Sequence, residues 1–375
     1  MKHMIARILF YSLVPAVLAA GVCQPTLLGG DPRLQDIVLP EGFRIETYAE
    51  NVDGARQLCM GDKGTLFVST RDKKVYALAD TDGDGKPETQ HIIAQGLVMP
   101  NGVAFKNGSL YVAEVHRILR FDGIEDNLAS PPQPVVVFDK FPTDRHHGWK
   151  YIAIGPDDRL YVPVGAPCNI CLSEDSIYAS ITSMKLDGTD LRIEAHGVRN
   201  SVGFDWDPRN GQFWFTENGR DMMGNDMPNC ELNKLTARGE HFGFPFCHQG
   251  DTLDPEFGGG MQCADYTAPM LKLGPHVAPL GMKFYRGGMF PDSYRNAIFI
   301  AEHGSWNRST PIGYRVKVAR QNADGNWTQE VFAEGWLKGN NASGRPVDVL
   351  ELPDGSLLVS DDSADMIYRI TYTGK

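Results

Sequence analysis

The sequence lacks features that define several common classes of protein. Basic residues are fewer than acidic ones, with 36 Lys and Arg against 47 Asp and Glu, a formal charge of −11 and no acidic tail. Phosphate binding needs a basic face, so this balance argues against nucleic acid as a partner. No Gly-x-Gly-x-x-Gly follows a predicted strand, which argues against a nicotinamide enzyme. With 40 glycines and 24 prolines, long helices are scarce, and none resembles an amphipathic membrane helix.

Long apolar runs are missing except at the N-terminus. Lys2 and Arg7 precede an apolar stretch over residues 8–22 that ends in small residues, the layout of a secretory signal peptide. The stretch is too short for a transmembrane span. We therefore predict a signal peptide over residues 1–22 and a periplasmic or secreted protein. Lipoprotein anchoring through Cys23 is the alternative to plain cleavage.

Cysteine is also scarce, with 7 residues in 375. Without Cys23 an even number remains, and an even count in an exported chain predicts disulfides. Cys168 and Cys171 have the Cys-x-x-Cys spacing of redox and zinc sites, but no second such motif accompanies them, which favours a structural loop staple. Cys247 and Cys263 bracket a Gly-rich loop and are predicted to pair. The sequence leaves the pairing of Cys59 and Cys230 open.

One short phrase recurs six times along the chain. Each copy is a turn followed by a run of β-branched and aromatic residues, and a second such run follows most copies, which predicts a β-hairpin. The third positions of the six phrases are Leu66, Leu110, Leu160, Phe213, Ile298 and Leu357, separated by 44, 50, 53, 85 and 59 residues. This is the spacing of four-stranded propeller blades with insertions. We predict an all-β protein, a six-bladed β-propeller that occupies residues 39–375 as one domain.

The segment Asp80-Thr-Asp-Gly-Asp-Gly85 resembles the start of a calcium loop, because carboxylates at alternate positions can converge on one hard cation. Twelve-residue counting places His91 where a bidentate Glu belongs. The segment is therefore either a structural cation site or an acidic hairpin turn.

Adjacent histidines precede the third phrase, where a propeller strand would approach the central channel. His146 and His147 stand ahead of Gly148. An imidazole can accept a proton near neutral pH, so one of them is a candidate general base. The alternative is a surface turn.

Arginine and asparagine occupy the equivalent place before the fourth phrase. Arg199 and Asn200 would lie at a similar depth in the channel, and an arginine there offers a planar donor fork suited to carboxylates or quinone oxygens. The alternative is an arginine that caps backbone carbonyls between blades. A dense polar and glycine-rich stretch then fills the 85-residue interval, and long ordered loops on a rigid scaffold commonly carry function.

Together these segments resemble the sorbosone dehydrogenase family, which is similar to the soluble quinoprotein glucose and aldose sugar dehydrogenases. The motifs that carry the resemblance are Leu39-Pro-Glu-Gly-Phe43, Pro100-Asn-Gly-Val-Ala-Phe105, His146-His-Gly148, Gly197-Val-Arg-Asn200, Glu217-Asn-Gly-Arg-Asp221, Glu231-Leu-Asn233, His303-Gly-Ser-Trp-Asn-Arg308 and Gly344-Arg-Pro346. They run from Leu39 to the C-terminus. Several ordered motifs make the resemblance specific.

The resemblance implies a propeller that binds pyrroloquinoline quinone (PQQ) and Ca²⁺ over its channel and oxidises a sugar or a sugar-derived aldehyde. It implies that His146 is the catalytic base and that Arg199, Asn200 and Arg345 contact the cofactor. It also implies that backbone carbonyls of Gly219 and Arg220 hold calcium, and that electrons leave to an external acceptor.

The chain departs from the glucose enzymes at positions that face the ligands. Val202 stands where they have a sugar-facing Gln, Val347 replaces a second arginine, and the cofactor-binding lysine is missing near Trp306. His303, Trp306 or Arg308 is expected to take over the lysine's role. Glucose as the substrate is in doubt for this reason.

Two other functions remain open on the sequence. A calcium-dependent propeller lactonase would also place Asn, Asp, Glu and His over a central ion, and a non-catalytic propeller could bind carbohydrate or protein. The retained Arg199 and Arg345 favour the quinone, because a lactonase has no need of cations for a tricarboxylate.

Overall fold

A computed structural model describes residues 31–374 of the chain. The predicted signal peptide and Cys23 lie outside the described residues. Within the described part no helix is long and apolar enough to cross a membrane.

Six four-stranded antiparallel units, which we call blades 1 to 6, make up the fold. Blade 1 contains Ala55–Met60, Leu66–Thr70, Val75–Ala79 and Thr89–Ala94, and blade 2 contains Gly102–Lys106, Ser109–Ala113, Ile118–Asp122 and Val135–Phe138. Blade 3 contains Ala153–Ile154, Arg159–Val164, Ser180–Lys185 and Arg192–His196, and blade 4 contains Phe204–Trp206, Phe213–Glu217, Asn229–Leu235 and Leu271–Pro275. Blade 5 contains Pro279–Phe284, Ile298–Glu302, Arg315–Gln321 and Trp327–Ala333.

Blade 6 joins the two ends of the propeller. Its strands Pro346–Glu351, Leu357–Asp361 and Met366–Tyr372 are completed by Phe43–Glu50 from the other end of the chain. Phe43 pairs with Tyr372 and Glu50 with Met366, so main-chain hydrogen bonds close the ring. The strand Phe43–Glu50 covers the edge of Met366–Tyr372 and itself becomes the outer edge strand of blade 6.

Shorter elements decorate the blades. Glu240–His241 adds a parallel fifth strand to blade 3, and two small hairpins are formed by Cys247–His248 with Thr252–Leu253 and by Leu337–Lys338 with Asn341–Ala342. Single 3-10 turns occur at Pro32–Leu34, Ile124–Asp126, Cys263–Asp265 and Asp292–Tyr294. The first of the two hairpins and the added strand come from the 85-residue interval, which explains its length.

The six-bladed propeller predicted from the repeats is confirmed. Each recurring phrase forms the second strand of its blade, and the third position of every phrase is buried. Apolar side chains from facing blades pack there, as when Leu110 of blade 2 shares one core cluster with Phe67 and Val75 of blade 1. The repeated apolar position therefore marks the core between blades.

The direction of the strands defines two faces. The first strands of most neighbouring blades contact one another around the axis. We call the face where these first strands begin and the second strands end the upper face. Residues just before a first strand and just after a second strand therefore meet on the upper face, near the axis.

Both predicted disulfides are present. Cys168 pairs with Cys171 and Cys247 with Cys263, whereas Cys59 and Cys230 are free thiols. Cys59 lies in blade 1 and Cys230 in blade 4, so the fold separates them.

The Cys247–Cys263 bond should stabilise the folded chain. It closes a loop with a sequence separation of 16 residues, for which loss of chain entropy in the unfolded state predicts about 3 kcal/mol. We expect Cys247→Ser/Cys263→Ser to lower the free energy of unfolding by about that amount in a urea titration, with the propeller retained. Peptide mapping of exported protein that recovered all four cysteines as free thiols would contradict the pairing.

Candidate functional site in the axial cleft

A cleft opens on the upper face at the axis and holds about 780 Å³ of space, counting the part open to solvent. Its size is that of a typical small-molecule site. Blades 1 and 3 to 6, or the loops next to them, contribute its walls. The residues that line it are Arg56, His147, Trp149, Arg199, Asn200, Val202, Asn218, Gly219, Asp221, Cys230, His276, Ala278, Leu280, His303, Gly304, Trp306, Asn307 and Arg345.

His147 is oriented as a proton acceptor at the cleft wall. Its Nδ1 lies 2.9 Å from the carbonyl oxygen of Ala166. A carbonyl can only accept, so Nδ1 carries the proton and Nε2 holds the free lone pair of the neutral ring. Burial, with the charge of Arg199, keeps the pKa of His147 well below its usual value. The ring is therefore neutral at physiological pH and can act as a base.

The position of His147 depends on a close contact with the backbone of blade 3. The residue has a left-handed backbone conformation, with φ of 50°, and its Cβ packs against Gly165 at the end of a blade 3 strand. A Cβ added at Gly165 would lie 2.5 Å from that of His147. No larger residue fits at Gly165 without moving the histidine.

His146, which the sequence singled out as the base, is placed differently. Its side chain is exposed and is not among the residues that line the cleft. The two imidazoles are neighbours, with ring centroids 4.1 Å apart, but only His147 reaches the cleft wall. The left-handed turn at His147 directs the two adjacent side chains to different places.

Arg199 lies in a ring of oxygen atoms. Nε donates to the carbonyl of Asn169 at 2.8 Å, and Nη1 donates to the carbonyls of Asn218 and Gly219 at 3.1 and 2.9 Å. Nη2 donates to Oδ1 of Asn169 at 2.9 Å and to Oδ2 of Asp221 at 3.2 Å. A guanidinium has five N–H donors, so the protein itself uses all of them. Arg199 brings its charge to the cleft and holds the surrounding loops together.

The segment that carries the predicted calcium ligands, the carbonyls of Gly219 and Arg220, lies next to Arg199. Gly219 lines the cleft and its carbonyl accepts from Arg199. The side chain of Arg220 turns away and pairs with Asp254 at 2.5 Å and with Glu256 at 3.0 Å. The next residue, Asp221, returns to the cleft. Its carboxylate and the carbonyls of Asn218 and Gly219 form a set of hard oxygen donors, the kind that Ca²⁺ prefers.

Two buried glutamates lie beneath the Arg199 segment. Glu217 accepts from the Arg199 amide at 2.6 Å, and Nδ2 of Asn233 donates to Glu217 at 3.2 Å and to Glu231 at 2.9 Å. Burial raises the pKa of both carboxyls, that of Glu231 to about 7. The motifs Glu217-Asn-Gly and Glu231-Leu-Asn233 thus support the cleft from below.

A second group of basic side chains lies on the blade 1 and blade 6 side. Asp362 bridges Arg56, whose Nη1 is 2.8 Å away, and His303, whose Nε2 is 2.7 Å away. The guanidinium of Arg56 lies over the Trp149 ring at 4.7 Å from its centroid, and Arg71 lies near the same ring at 5.6 Å. Burial lowers the pKa of His303 to about 4, so this histidine is neutral.

Arg345 is held by main-chain oxygens and by an aromatic ring. Nε and Nη2 donate to the carbonyls of His303 and Gly304, both at 3.0 Å, and the guanidinium lies 5.4 Å from the Tyr314 centroid. No ion pair with a carboxylate is formed by Arg345 among the described residues. Its charge therefore remains available to a ligand.

Trp306 and Arg308 occupy the rim. Trp306 is 70% exposed and lines the cleft, whereas Arg308 pairs with Asp226 at 3.2 Å beside it. Nε and Nη1 of Arg308 are buried without a partner in the described part of the chain. The same is true of Trp149 Nε1 and Asn307 Nδ2, which belong to cleft residues.

The two valines that depart from the glucose enzymes have different roles. Val202 lines the cleft next to Leu280 and Ala278, giving it an apolar patch. Val347 is buried and packs with Val202 and Leu280 in the core. Only Val202 is in a position to contact a ligand.

Sequence reasoning missed several residues of the cleft. Arg56, Trp149, Asn169, His276 and Asp362 all contribute to its walls or support them. Their positions relative to the strands could have identified some of them. Asp362 follows the second strand of blade 6, as His303 follows the second strand of blade 5. Likewise, His276 precedes blade 5, as Arg345 precedes blade 6.

The acidic turn of blade 1 is separate from the cleft. Asp80, Asp82, Asp84 and Glu88 can each offer an oxygen within 4.8 Å of the others, and all but Asp80 are exposed. The turn follows the third strand of its blade and so lies on the lower face. Glu88, not His91, is the fourth side chain of the group. Because the acidic turn lies on the face opposite the cleft, it takes no part in chemistry there.

A family model described as TrAA12-like matches residues 37–373. The chain belongs to the TrAA12-like family. Over 349 residues this TrAA12-like protein is 31% identical to an uncharacterized protein of Borreliella burgdorferi, in a match that covers 89% of this chain and 90% of that one. Membership in the sorbosone dehydrogenase family specifically stays a prediction.

Two further similarities concern proteins of Coprinopsis cinerea. Over 127 residues the TrAA12-like chain is 34% identical to a pyrroloquinoline quinone-dependent pyranose dehydrogenase, covering 28% of this chain and 17% of that protein. The solved holo form of the PQQ domain of pyranose dehydrogenase superposes with a TM-score of 0.76 at 21% identity, covering 89% of this chain and 97% of that one. The second similarity shows a shared propeller fold.

Proposed function

We propose that this protein is a PQQ-dependent dehydrogenase that oxidises a sugar or a sugar-derived aldehyde. The observation that carries the proposal is the charge of the cleft. Arg56, Arg199 and Arg345 line it. Among the described residues only two carboxylates, Asp362 beside Arg56 and Asp221 beside Arg199, pair with them, which leaves a net positive charge in a chain with a formal charge of −11. Concentrating cations in one cleft of an acidic protein favours a polyanionic ligand there, and PQQ is a tricarboxylate.

The other groups in the cleft fit the same ligand. Trp149 and Asn307 present buried donors without protein partners, and an acceptor-rich quinone would satisfy them. The rings of Trp149 and Trp306 offer flat surfaces to a flat cofactor. We propose that Arg345, Asn200, His303, Trp306 and Arg308 bind the quinone, and that Arg199 shapes the wall and supplies charge.

Calcium is part of the proposal. The carbonyl of Gly219 and the carboxylate of Asp221 are suitable ligands, and each oxygen that accepts from Arg199 keeps further lone pairs. The carbonyl of Arg220 is the third proposed ligand. When bound, the quinone would serve as the hydride acceptor and the cation would polarise its carbonyl.

His147 is the proposed base in this reaction. The oxidation removes a proton from a hydroxyl group and a hydride from the carbon that bears it; a sugar-derived aldehyde presents this hydroxyl as its hydrate, formed with water. Nε2 of His147 takes the proton, and the Nδ1 bond to Ala166 keeps the ring in the required tautomer. We prefer His147 to His146 because it lines the cleft.

The site also bears on the alternative functions. A calcium-dependent lactonase has no tricarboxylate to bind, so the arginines of the cleft, Arg345 above all, favour the quinone. A non-catalytic carbohydrate-binding propeller has no use for an oriented neutral base. Export through residues 1–22 and an external electron acceptor remain part of our proposal.

Dye reduction tests the proposed activity. Purified protein loaded with PQQ and Ca²⁺ should reduce an artificial acceptor when an aldose, a polyol or an aldehyde is added, and a chelator should lower the rate. Protein that takes up the quinone but reduces no dye with any such substrate would contradict dehydrogenase activity.

The apolar patch at Val202 predicts broad specificity. A cleft with few sugar-facing donors cannot strongly penalise a missing hydroxyl, because no buried partner is left unpaired. We expect comparable kcat/KM over several aldoses, or a preference for a less hydroxylated aldehyde. A substrate panel in which glucose exceeded every other compound by several orders of magnitude would contradict this.

A further inference from the structure

A second pocket lies beside the cleft on the upper face of blade 3. Its walls come from the loop between the second and third strands of blade 3, from the end of the fourth strand, and from the added fifth strand with the segment after it. The residues that matter below are Leu172, Asp175, Ser176, Tyr178, His241 and Phe244. We call it the blade 3 pocket. It holds about 510 Å³ of space, counting the part open to solvent.

One layer of backbone separates this pocket from the cleft. Ala166 lines the blade 3 pocket, while its carbonyl accepts from His147 and its amide donates to the carbonyl of Arg199 at 2.8 Å. Gly197 also lies in the pocket wall, two residues before Arg199, and the His241 ring packs against its Cα. The two sites therefore share a wall and a face of the propeller.

The lining of the blade 3 pocket suits a neutral, hydroxylated ligand. Leu172, Tyr178 and Phe244 give it apolar and aromatic surface, and Asp175 and Ser176 add oxygen acceptors. No Lys or Arg is among its described lining residues, which argues against an anionic ligand. The composition is that of a small-molecule site with a few orienting polar groups.

His241 supplies a defined donor to this pocket. Its Nδ1 accepts from the Gly243 amide at 3.1 Å, so in the neutral ring Nε2 carries the proton. Burial lowers the pKa of His241 to about 4, and the ring stays neutral. Together with the Asp175 carboxylate elsewhere in the pocket wall, His241 offers one donor and one acceptor to the hydroxyl groups of a ligand.

We propose that the blade 3 pocket binds a second sugar residue of an oligosaccharide whose terminal residue is oxidised in the axial cleft. The inference rests on the proposed function for the identity of the cleft's substrate. It extends that function by naming oligosaccharides as a substrate class, with the blade 3 pocket contributing affinity and not chemistry.

Calorimetry on protein without quinone tests this independently of the oxidation. The probes are α- and β-linked trisaccharides of glucose, mannose and xylose, each compared with its monosaccharide. Ser176→Trp fills the blade 3 pocket from an exposed position, and Ser130→Trp places the same residue on an exposed turn of blade 2. Both variants should melt like the unmodified protein.

We expect at least one trisaccharide to bind more tightly than its monosaccharide. Ser176→Trp should raise the Kd of that trisaccharide at least tenfold and leave the monosaccharide unchanged, whereas Ser130→Trp should change neither. Unaltered trisaccharide binding in Ser176→Trp, or no trisaccharide binding to the unmodified protein, would overturn the proposal. Failure of the protein to bind PQQ would overturn the proposed function and leave this result standing.

Discussion

His147→Ala is expected to lower kcat with the best sugar substrate by about 10²- to 10⁴-fold, the usual contribution of a positioned base. The substitution removes Nε2, the nitrogen that accepts the proton. Nε2 holds the free lone pair because Nδ1 donates its own proton to the Ala166 carbonyl. Quinone affinity should change little, because the arginines carry most of the charge of the cleft. Dye reduction under saturating sugar measures the effect.

His146→Ala is the matched control, since it removes an adjacent imidazole that is exposed. Its kcat should stay within a few-fold of the unmodified protein. A large loss in His146→Ala with little change in His147→Ala would show that the base had been assigned to the wrong histidine.

The pH dependence of the reaction follows from the burial of His147. Because its pKa lies well below the usual value, the ring is already neutral at pH 6.5, and kcat/KM should not fall as the pH drops from 8 to that point. Activity should decline only at lower pH, as the folded-state pKa is passed. A decline centred at or above pH 6.5 would contradict the assignment of a buried base.

Arg199→Met is expected to have the largest effect on stability. The substitution removes the donor for five oxygen contacts at once and leaves the Asp221 carboxylate and the carbonyls of Asn169, Asn218 and Gly219 unpaired. Arg199 is buried but the Asp221 side chain is 21% exposed, so we expect about 3 kcal/mol, the lower end of the cost of removing one partner from a buried ion pair. Urea denaturation should show a loss of that size in the free energy of unfolding.

Arg308→Met provides the comparison, because that arginine makes one ion pair, with an Asp226 side chain that is 85% exposed. Its loss should cost less than about 1 kcal/mol. Equal destabilisation by the two substitutions would contradict the view that Arg199 organises the cleft wall.

The fold was predictable because its signal is repeated. Six phrases with an apolar third position specify six second strands, and tight spacing leaves room for little besides hairpins. The 85-residue interval could be identified as an insertion, but not its path, because the pairing of Glu240–His241 with blade 3 is a long-range contact.

The sequence predicted which loops form the site, but it predicted the roles of the individual side chains less well. The rule that residues before first strands and after second strands meet at the axis places His303, Arg345 and Arg199 together. The choice between His146 and His147 depends on a left-handed backbone at His147 and on the space that Gly165 leaves. The presence of two adjacent histidines in the sequence reveals neither the backbone conformation nor the space at Gly165.

The sequence left two roles open for Arg199, ligand binding and capping of backbone carbonyls, and the structure shows the second. Its acceptors include main-chain carbonyls from Asn169 and Asn218, and the sequence of a loop does not reveal which carbonyls point inward. Asn169 was overlooked for the same reason: it sits between the two cysteines of a disulfide loop and contacts both Arg199 and Asp221.

Calorimetric titration of PQQ into the protein tests the central claim most directly. With Ca²⁺ present, we predict one quinone per chain, weaker binding when a chelator is added, and a marked loss of affinity in Arg345→Met, whose guanidinium has no carboxylate partner among the described residues. Absence of quinone binding by the folded, unmodified protein at micromolar concentrations, with or without calcium, would contradict the account.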